Sequence, residues 1–359
     1  VDIGEGFLPA DLEEKAISFG ASKVFFDDLS EEFVSIYVYP MFRCNTLYEG
    51  EYLLGTAIAR PLIAKQLVRI AESENTNIIS HGATGKGNDQ IRFEIGAHAL
   101  NSDIQVIAPW REWNMSSRTD LMNYCKEHQI PMPASKAEEP PFSMDENLLH
   151  ISYEGGVLED LSTPPPEDMW LKVKSIEDAK DEAEEIKITF ENGDPIAVDD
   201  ESLSAAEILK KLNLIGGNHG IGRIDIVESR ATGMKSRGCY ETPGGTILLK
   251  ARRAMESFCL SRDEIVKKDS LMPSYAKLIY DGLWWSNDRV SLQKQIDNFA
   301  TKVSGSVVIK LLKGNVISLG KESKNSLYDE NKASFEESGG FSNQDMQDYI
   351  KENILKFDR

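Results

Sequence analysis

The stretch that decides the fold is Asn77-Ile78-Ile79-Ser80-His81-Gly82-Ala83-Thr84-Gly85-Lys86-Gly87-Asn88-Asp89-Gln90-Ile91-Arg92. Its apolar opening reads as a short buried strand and its three glycines as a loop. Asn88 or Asp89 then caps a helix with Ile91 and Ile95 one turn apart on its apolar face. A strand, a glycine loop and a helix in that order offer backbone N–H groups and the positive end of a helix to an anion. The spacing is not that of a Walker A loop, because Gly82 and Gly85 are too close and Gly87 follows Lys86. A glycine-rich turn that lets a helix pack close to a sheet accounts for the same residues, so both readings stay open.

Helix and strand signals alternate on both sides of this loop. Upstream, residues 11–19 read as a helix, 23–26 as an apolar strand, and 61–72 as a helix opened by Pro61 with Ile63, Leu67 and Ile70 on one face. Downstream come a strand at 104–109 and a helix at 120–126. This rhythm predicts an α/β unit with a parallel sheet wrapped by helices, and ligands beyond the carboxyl ends of its strands, where the glycine loop lies. Residues 131–141 turn to Pro, Lys and Glu, and 158–185 carry three consecutive prolines and an acidic run, which marks a boundary of surface connections.

Beyond that boundary the pattern is α+β. Hairpins at 186–198 and 307–319, turning at Asn192-Gly193 and Gly314-Asn315, flank a helix opened by the capping box Ser204-Ala205-Ala206-Glu207 and closed before Gly216-Gly217. Ser342 with Asp345 caps a last helix whose Met346, Ile350, Ile354 and Phe357 form an apolar stripe. That helix is too short to stand alone and must pack on its own domain or on a neighbouring subunit, of which the neighbour suits it better. The expected division is a nucleotide-binding domain at 1–135, a second domain at 136–341, and an oligomerisation helix at 342–359.

At 359 residues the chain is long enough to shield a site from water. Its net charge of -19 opposes nucleic acid and anionic membranes, so the expected partners are small molecules, with no nucleic acid and no membrane. Charged substrates would need local basic groups, for which Arg92, Lys235 and Arg237 are candidates. Cys44, Cys125, Cys239 and Cys259 lack zinc or disulfide spacing and read as reduced thiols of an intracellular protein. The five histidines show no metal-ligand spacing, so no metal site is expected in the protein itself.

Ser143 to Asn147 with His150 and Ser152 place polar groups just past the boundary, where clefts form. No Gly-x-Ser-x-Gly elbow surrounds either serine, so hydrogen bonding fits better than covalent catalysis. Residues 223–230 alternate apolar and charged side chains as a half-buried strand does, which puts Asp225 and Glu228 on opposite faces. The glycine-rich residues 233–245 read as loops carrying basic and hydroxyl groups.

Taken together, Tyr48 to Thr56, His81 to Arg92, Ser143 to Asn147 with Ser152, Gly222 to Glu228, and Met234 to Pro243 resemble the argininosuccinate synthase family in order and spacing along the whole chain. The family is similar to the PP-loop ATP pyrophosphatases. The resemblance implies an N-terminal Rossmann-like domain of the adenine nucleotide α-hydrolase type, an α+β synthetase domain, and a cytoplasmic homotetramer held partly by the last helix. It implies ligation of citrulline to aspartate through a citrullyl-adenylate, with ATP (with Mg2+) split to AMP and pyrophosphate. By position, Tyr52, Asn88, Arg92, Ser143, Ser152, Glu228 and Tyr240 match citrulline-binding residues. Thr84, Asn88 and Asp89 match the aspartate site, Gly82 matches ATP-facing backbone, and Asp89 and Arg92 are the expected catalytic residues. Ala57 stands where some members have a substrate-contacting serine.

One departure is at the front, where the family's Ser-Gly-Gly-Leu-Asp-Thr-Ser loop, with a leading strand and helix, is expected and does not occur. Two readings follow: a normal enzyme whose leading unit lies outside this sequence, or a truncated relative that binds citrulline or co-assembles without forming the adenylate. A dinucleotide oxidoreductase does not fit, because Gly82, Gly85 and Gly87 break the Gly-x-Gly-x-x-Gly pattern.

Overall fold

The computed structural model of the chain describes residues 1–4, 11–84, 87–115, 118–130, 142–334 and 342–357. Gly85, Lys86 and the Pro/Lys/Glu-rich residues 131–141 therefore lie outside the described residues. The N-terminal half opens with Leu12–Ser18 (α1), which buries no residue. The strand expected at 23–26 is absent: a single parallel bridge joins Asp2 to Asp28, and Phe25 and Phe26 are exposed. With no ladder partner among the described residues, its apolar run stays irregular. Ser30–Glu32 (α2) then continues through a π-helical stretch, Phe33–Val38, into Tyr39–Phe42 (α3). Phe33, Val34, Tyr37, Val38 and Met41 on this rod are completely buried.

Gly55–Ser73 (α4) starts six residues before Pro61, the expected first position. Leu54 turns the chain at φ 64, and a Cβ on Gly55 would lie 2.3 Å from the His150 ring, so this entry depends on glycine. Pro61 sits inside the helix, where it forgoes one backbone hydrogen bond but is buried. Ile78–Ser80 (β1) leads through the glycine loop to Asp89–Leu100 (α5), and Gln105–Ile107 (β2) pairs with β1 in parallel. Ile95 is exposed, contrary to the expected apolar face. α5 instead buries Gln90, Arg92, Gly96 and Ala97, and Gly96 comes close to Ala64 of α4. Pro109–Glu112 (α6) and Arg118–Glu127 (α7) complete this half.

The second half begins with Ser143–Glu146 (β3) and Ile151–Glu154 (β4), continues with Glu184–Glu191 (β5), Asp194–Val198 (β6) and Glu201–Ser202 (β7), and enters Ala205–Asn218 (α8) through the expected capping box. α8 runs through Gly216 and Gly217 instead of ending before them. A Cβ at Gly217 would lie 2.2 Å from the Lys172 carbonyl oxygen, so these glycines allow close packing and do not stop the helix.

Arg223–Ser229 (β8), Lys235–Glu241 (β9), Pro243–Cys259 (α9), Arg262–Tyr280 (α10) and Asn287–Ala300 (α11) follow. The stretch 233–245, expected to be loops, is thus largely β9 and the start of α9. Gly238 leaves room for the Tyr240 side chain two positions on, and Gly245 for Leu53. Gly305–Leu312 (β10) and Asn315–Glu322 (β11) form the last hairpin, whose left-handed residues are Lys313 and Gly314, one position earlier than expected. Glu330–Ala333 (α12) and Asn343–Ile354 (α13) end the described chain.

Strands β11-β10-β5-β6-β7 make one antiparallel sheet and β3-β4-β9-β8 another. A single core joins the halves, with Phe33, Tyr37 and Met41 packed among Ile188, Leu209, Ile247, Ile279 and Val307. The parallel strands have only a small cluster of their own, made of Val68, Ala71, Ile79, Ala97 and Ile104.

Candidate active site

The four-stranded sheet builds one wall of the site. Asp145 pairs with Ser152, Ser152 with Tyr240, and Tyr240 with Ile224. Because side chains alternate along each strand, Ser143, Asp145, Ser152, Tyr240 and Glu228 share one face. Asp225 falls on the other, paired with Arg237 at 2.7 Å, as the alternation predicted. The opposing wall is α4, which presents Thr56, Arg60, Ile63 and Leu67 at helical spacing. The floor is made of residues 80–84 at the carboxyl end of β1 and 87–89 at the start of α5. Together they enclose a cavity of about 590 Å³.

All ten residues singled out from the sequence line this cavity: Tyr52, Gly82, Thr84, Asn88, Asp89, Arg92, Ser143, Ser152, Glu228 and Tyr240. Lys235 and Arg237, also offered as basic groups, do not. Lys235 is exposed beside Glu49 and Arg237 is committed to Asp225, so Arg92 alone of the three serves the cavity.

Asp89 is the electrostatic hub. It accepts from Arg60 at 2.6 and 2.9 Å and from Arg92 at 3.0 Å, and Arg60 also reaches Asp145 at 2.9 Å. Burial alone would raise its pKa, but the two guanidinium groups outweigh that and hold it below the ordinary carboxylate value. Glu228 is the reverse case. Burial lifts its pKa, and the hydroxyls of Tyr280 and Tyr240 with Arg92 offset only part of that. Its Oε1 accepts from Tyr280 at 3.0 Å, whereas its buried Oε2 has no donor among the described residues. Tyr52 stacks on Tyr240 with ring centroids 4.4 Å apart, which fixes the aromatic end of the cavity.

Asn88 stands at the N-cap of α5 but does not cap it with its side chain. Its amide instead spans toward the second half, Nδ2 donating to Tyr280 at 3.1 Å and Oδ1 accepting from the Ala231 N–H at 3.3 Å. Gly82 has no positive φ, so its backbone would tolerate a side chain, yet a Cβ there would meet nothing within 4 Å. What glycine provides at this point is bare backbone facing open space, the feature a phosphate-binding loop requires.

Residues 1–131 match the family model described as the arginosuccinate synthase N-terminal HUP domain, and residues 142–358 match the arginosuccinate synthase C-terminal domain. The chain belongs to the argininosuccinate synthase family. It is 55% identical over 356 residues to the argininosuccinate synthase of Ectopseudomonas mendocina, covering 99% of this chain and 88% of that protein. Against the argininosuccinate synthase of Helicobacter hepaticus it is 56% identical over 358 residues, with the same coverage. The N-terminal domain of this synthase-family chain has the expected Rossmann-like class.

Two residues in or beside the cavity, Arg60 and Tyr280, were not singled out from the sequence. Arg60 had a signal: Tyr52, Thr56 and Arg60 recur every fourth residue beside an otherwise apolar helix. Tyr280 had none, since it only ends α10, yet it touches Asn88, Arg92 and Glu228. His150, named from the sequence among the polar groups past the boundary, is buried behind the tyrosines, with Nε2 3.0 Å from the Thr56 hydroxyl.

Burial, followed by the nearby cations Arg60, Lys172 and Arg92, pushes the His150 pKa down from 6.5 to about 3. The unfolded chain therefore binds this proton more readily, so its contribution to stability is intact above pH 6.5 and declines as pH falls toward 3. At pH 5, about 1.5 units below the unfolded value, the loss is about 2 kcal/mol. Urea unfolding of wild type and His150→Gln at pH 7 and 5 should show the wild type losing about that much more; equal losses would contradict a buried neutral imidazole.

Proposed function

We propose that this chain is an ATP-dependent carbon–nitrogen ligase that joins citrulline to aspartate, forming argininosuccinate and releasing AMP and pyrophosphate. The observation that carries this reading is the convergence in one cavity of Glu228, with its donorless buried oxygen, the buried Arg92, the ionised Asp89 and the bare backbone of Gly82. A buried acceptor without a partner costs roughly 1–3 kcal/mol, a cost that a substrate ammonium group would offset.

In this reading the ammonium of citrulline sits on Glu228 and its carboxylate on Arg92, with Tyr52, Asn88, Ser143, Ser152 and Tyr240 supplying further hydrogen bonds. Thr84, Asn88 and Asp89 receive aspartate, and the Gly82 backbone faces ATP. The ureido oxygen of citrulline attacks the α-phosphorus, the bond to pyrophosphate breaks, and a citrullyl-adenylate forms. The amine of aspartate then adds to the activated carbon, the bond from that carbon to oxygen breaks, and AMP leaves carrying the former ureido oxygen. Both steps demand alignment and charge neutralisation more than a covalent nucleophile. Asp89, with its depressed pKa, is a poor proton acceptor, so its part is to hold and aim the amine. Arg60 keeps that carboxylate fixed.

Among the described residues no group of three or more His, Cys, Asp or Glu side chains is placed to hold a metal ion, so a magnesium ion would come with the nucleotide. Phosphate oxygens and water are the ion's ordinary ligands with a nucleotide, and no step here runs through it. The four cysteines are free and no helix among the described residues is long and apolar enough to cross a membrane, which accords with a cytoplasmic enzyme.

The homotetramer belongs to the same proposal. Met346, Ile350 and Ile354 are exposed on α13, Phe357 is exposed in the turn beyond its end, and the capping box at Ser342 forms as expected. Deleting residues 342–359 should lower the oligomer mass in sedimentation; an unchanged mass would remove the helix from the interface. The activity itself is tested by incubating the chain with ATP, citrulline and aspartate. Formation of argininosuccinate with equal AMP and pyrophosphate is expected, and ADP with phosphate, or no product, would overturn the reading.

A further inference from the structure

We propose that Tyr280 is a positioning residue of this site, its hydroxyl coupling the ammonium subsite at Glu228 to the aspartate-side amide of Asn88; this rests on the synthase reading above. Three observations converge on it. The Tyr280 side chain is essentially buried, and its hydroxyl lies 3.0 Å from Glu228 Oε1 and 3.1 Å from Asn88 Nδ2. Its ring stacks on Tyr48 at 3.8 Å with the planes 8° apart, and the Arg92 guanidinium lies over the ring at 4.8 Å. Its carbonyl, at the last residue of α10, accepts from Arg92 Nε at 2.9 Å, where the negative helix end favours a cation.

The direction of the hydrogen bonds gives the coupling its content. An ionised carboxylate only accepts, so the Tyr280 O–H must donate to Glu228, and its oxygen is left to accept. Asn88 therefore turns its NH2 toward Tyr280 and its carbonyl toward the Ala231 N–H, which accounts for both contacts of that amide. A free amide could point either way; this one is held from both sides, by the Ala231 N–H and, through Tyr280, by the Glu228 carboxylate. Gly282 lets the chain pass close behind, since a Cβ there, at φ +79, would lie 2.8 Å from Arg92 Cα. The end of α10 is thus seated against the first turns of α5, and Tyr280 ties the two subsites through one rigid ring.

Tyr280→Phe keeps the ring, the stack and the carbonyl and removes only the hydroxyl. The coupling predicts a rise of about fivefold in the KM for aspartate, with the KM for ATP changed less than twofold and the melting temperature lowered by only a few degrees, because two buried groups lose a partner. In an Asn88→Asp background, where no NH2 remains to meet the hydroxyl, the same change should add less than twofold. An aspartate KM within twofold of wild type, a uniform decline of every parameter together with the melting temperature, or full additivity in the double variant would each overturn the proposal. A wild-type chain that makes no argininosuccinate overturns the synthase reading and the coupling with it. An active wild type with an unaffected Tyr280→Phe variant overturns the coupling alone.

Discussion

Asp89→Asn is expected to lower kcat/KM for aspartate by about 10²- to 10³-fold, the range set by removing one partner of a desolvated charge pair. The substitution keeps the shape and one carbonyl acceptor but deletes the charge that Arg60 and Arg92 share. Arg92 is almost fully buried, so it would be left beside a neutral amide, and a loss of folding stability of about 3–5 kcal/mol accompanies the loss of activity. Steady-state kinetics with aspartate varied, together with urea unfolding, separates the two effects. A variant with near wild-type kcat/KM would mean that Asp89 braces the arginines without meeting substrate.

Glu228→Gln carries the second large effect, about a 10²-fold rise in the KM for citrulline, because a charge-assisted contact to ammonium becomes a neutral one. Its pH dependence has a definite sign. Burial raises the pKa of Glu228, so the carboxylate takes up its proton at a higher pH than an exposed glutamate does. Citrulline affinity should therefore weaken as pH falls through that raised value, and the Gln variant should lack this acid limb. Titration calorimetry of citrulline at several pH values distinguishes the two; an identical acid limb in both would assign it to another group.

Tyr52, Ser143, Ser152 and Tyr240 were assigned to citrulline only through the family resemblance, and local pattern by itself located a smaller part of the cavity. The alternation at 223–230 separated Glu228 from Asp225, and the glycine loop located Gly82, Thr84, Asn88 and Asp89 at the end of a strand. Glycine was the less dependable sign elsewhere. At 216–217 and 238–245 the same residue that marks turns was used to bring a helix against a carbonyl or to make room for Tyr240, and only the packed neighbours distinguish these uses. Pro61 misled for a similar reason, since burial within α4 outweighed its preference for a first turn.

Tyr280 was invisible because its role depends on where α10 ends relative to α5, a relation between residues almost two hundred positions apart. The strand expected at 23–26 required a neighbour that no local window contains. The packing of the buried rod 33–42 against the second half, which makes one hydrophobic cluster span both, is likewise a relation that no local window contains.

The central claim, that the cavity brings citrulline and ATP together so that the ureido oxygen itself attacks phosphorus, is tested most directly with citrulline labelled with ¹⁸O at that oxygen. Turnover with ATP and aspartate, followed by mass spectrometry of the nucleotide product, should find the label in the phosphate of AMP. Unlabelled AMP formed alongside argininosuccinate would contradict the adenylate route and the assignment of the site that rests on it.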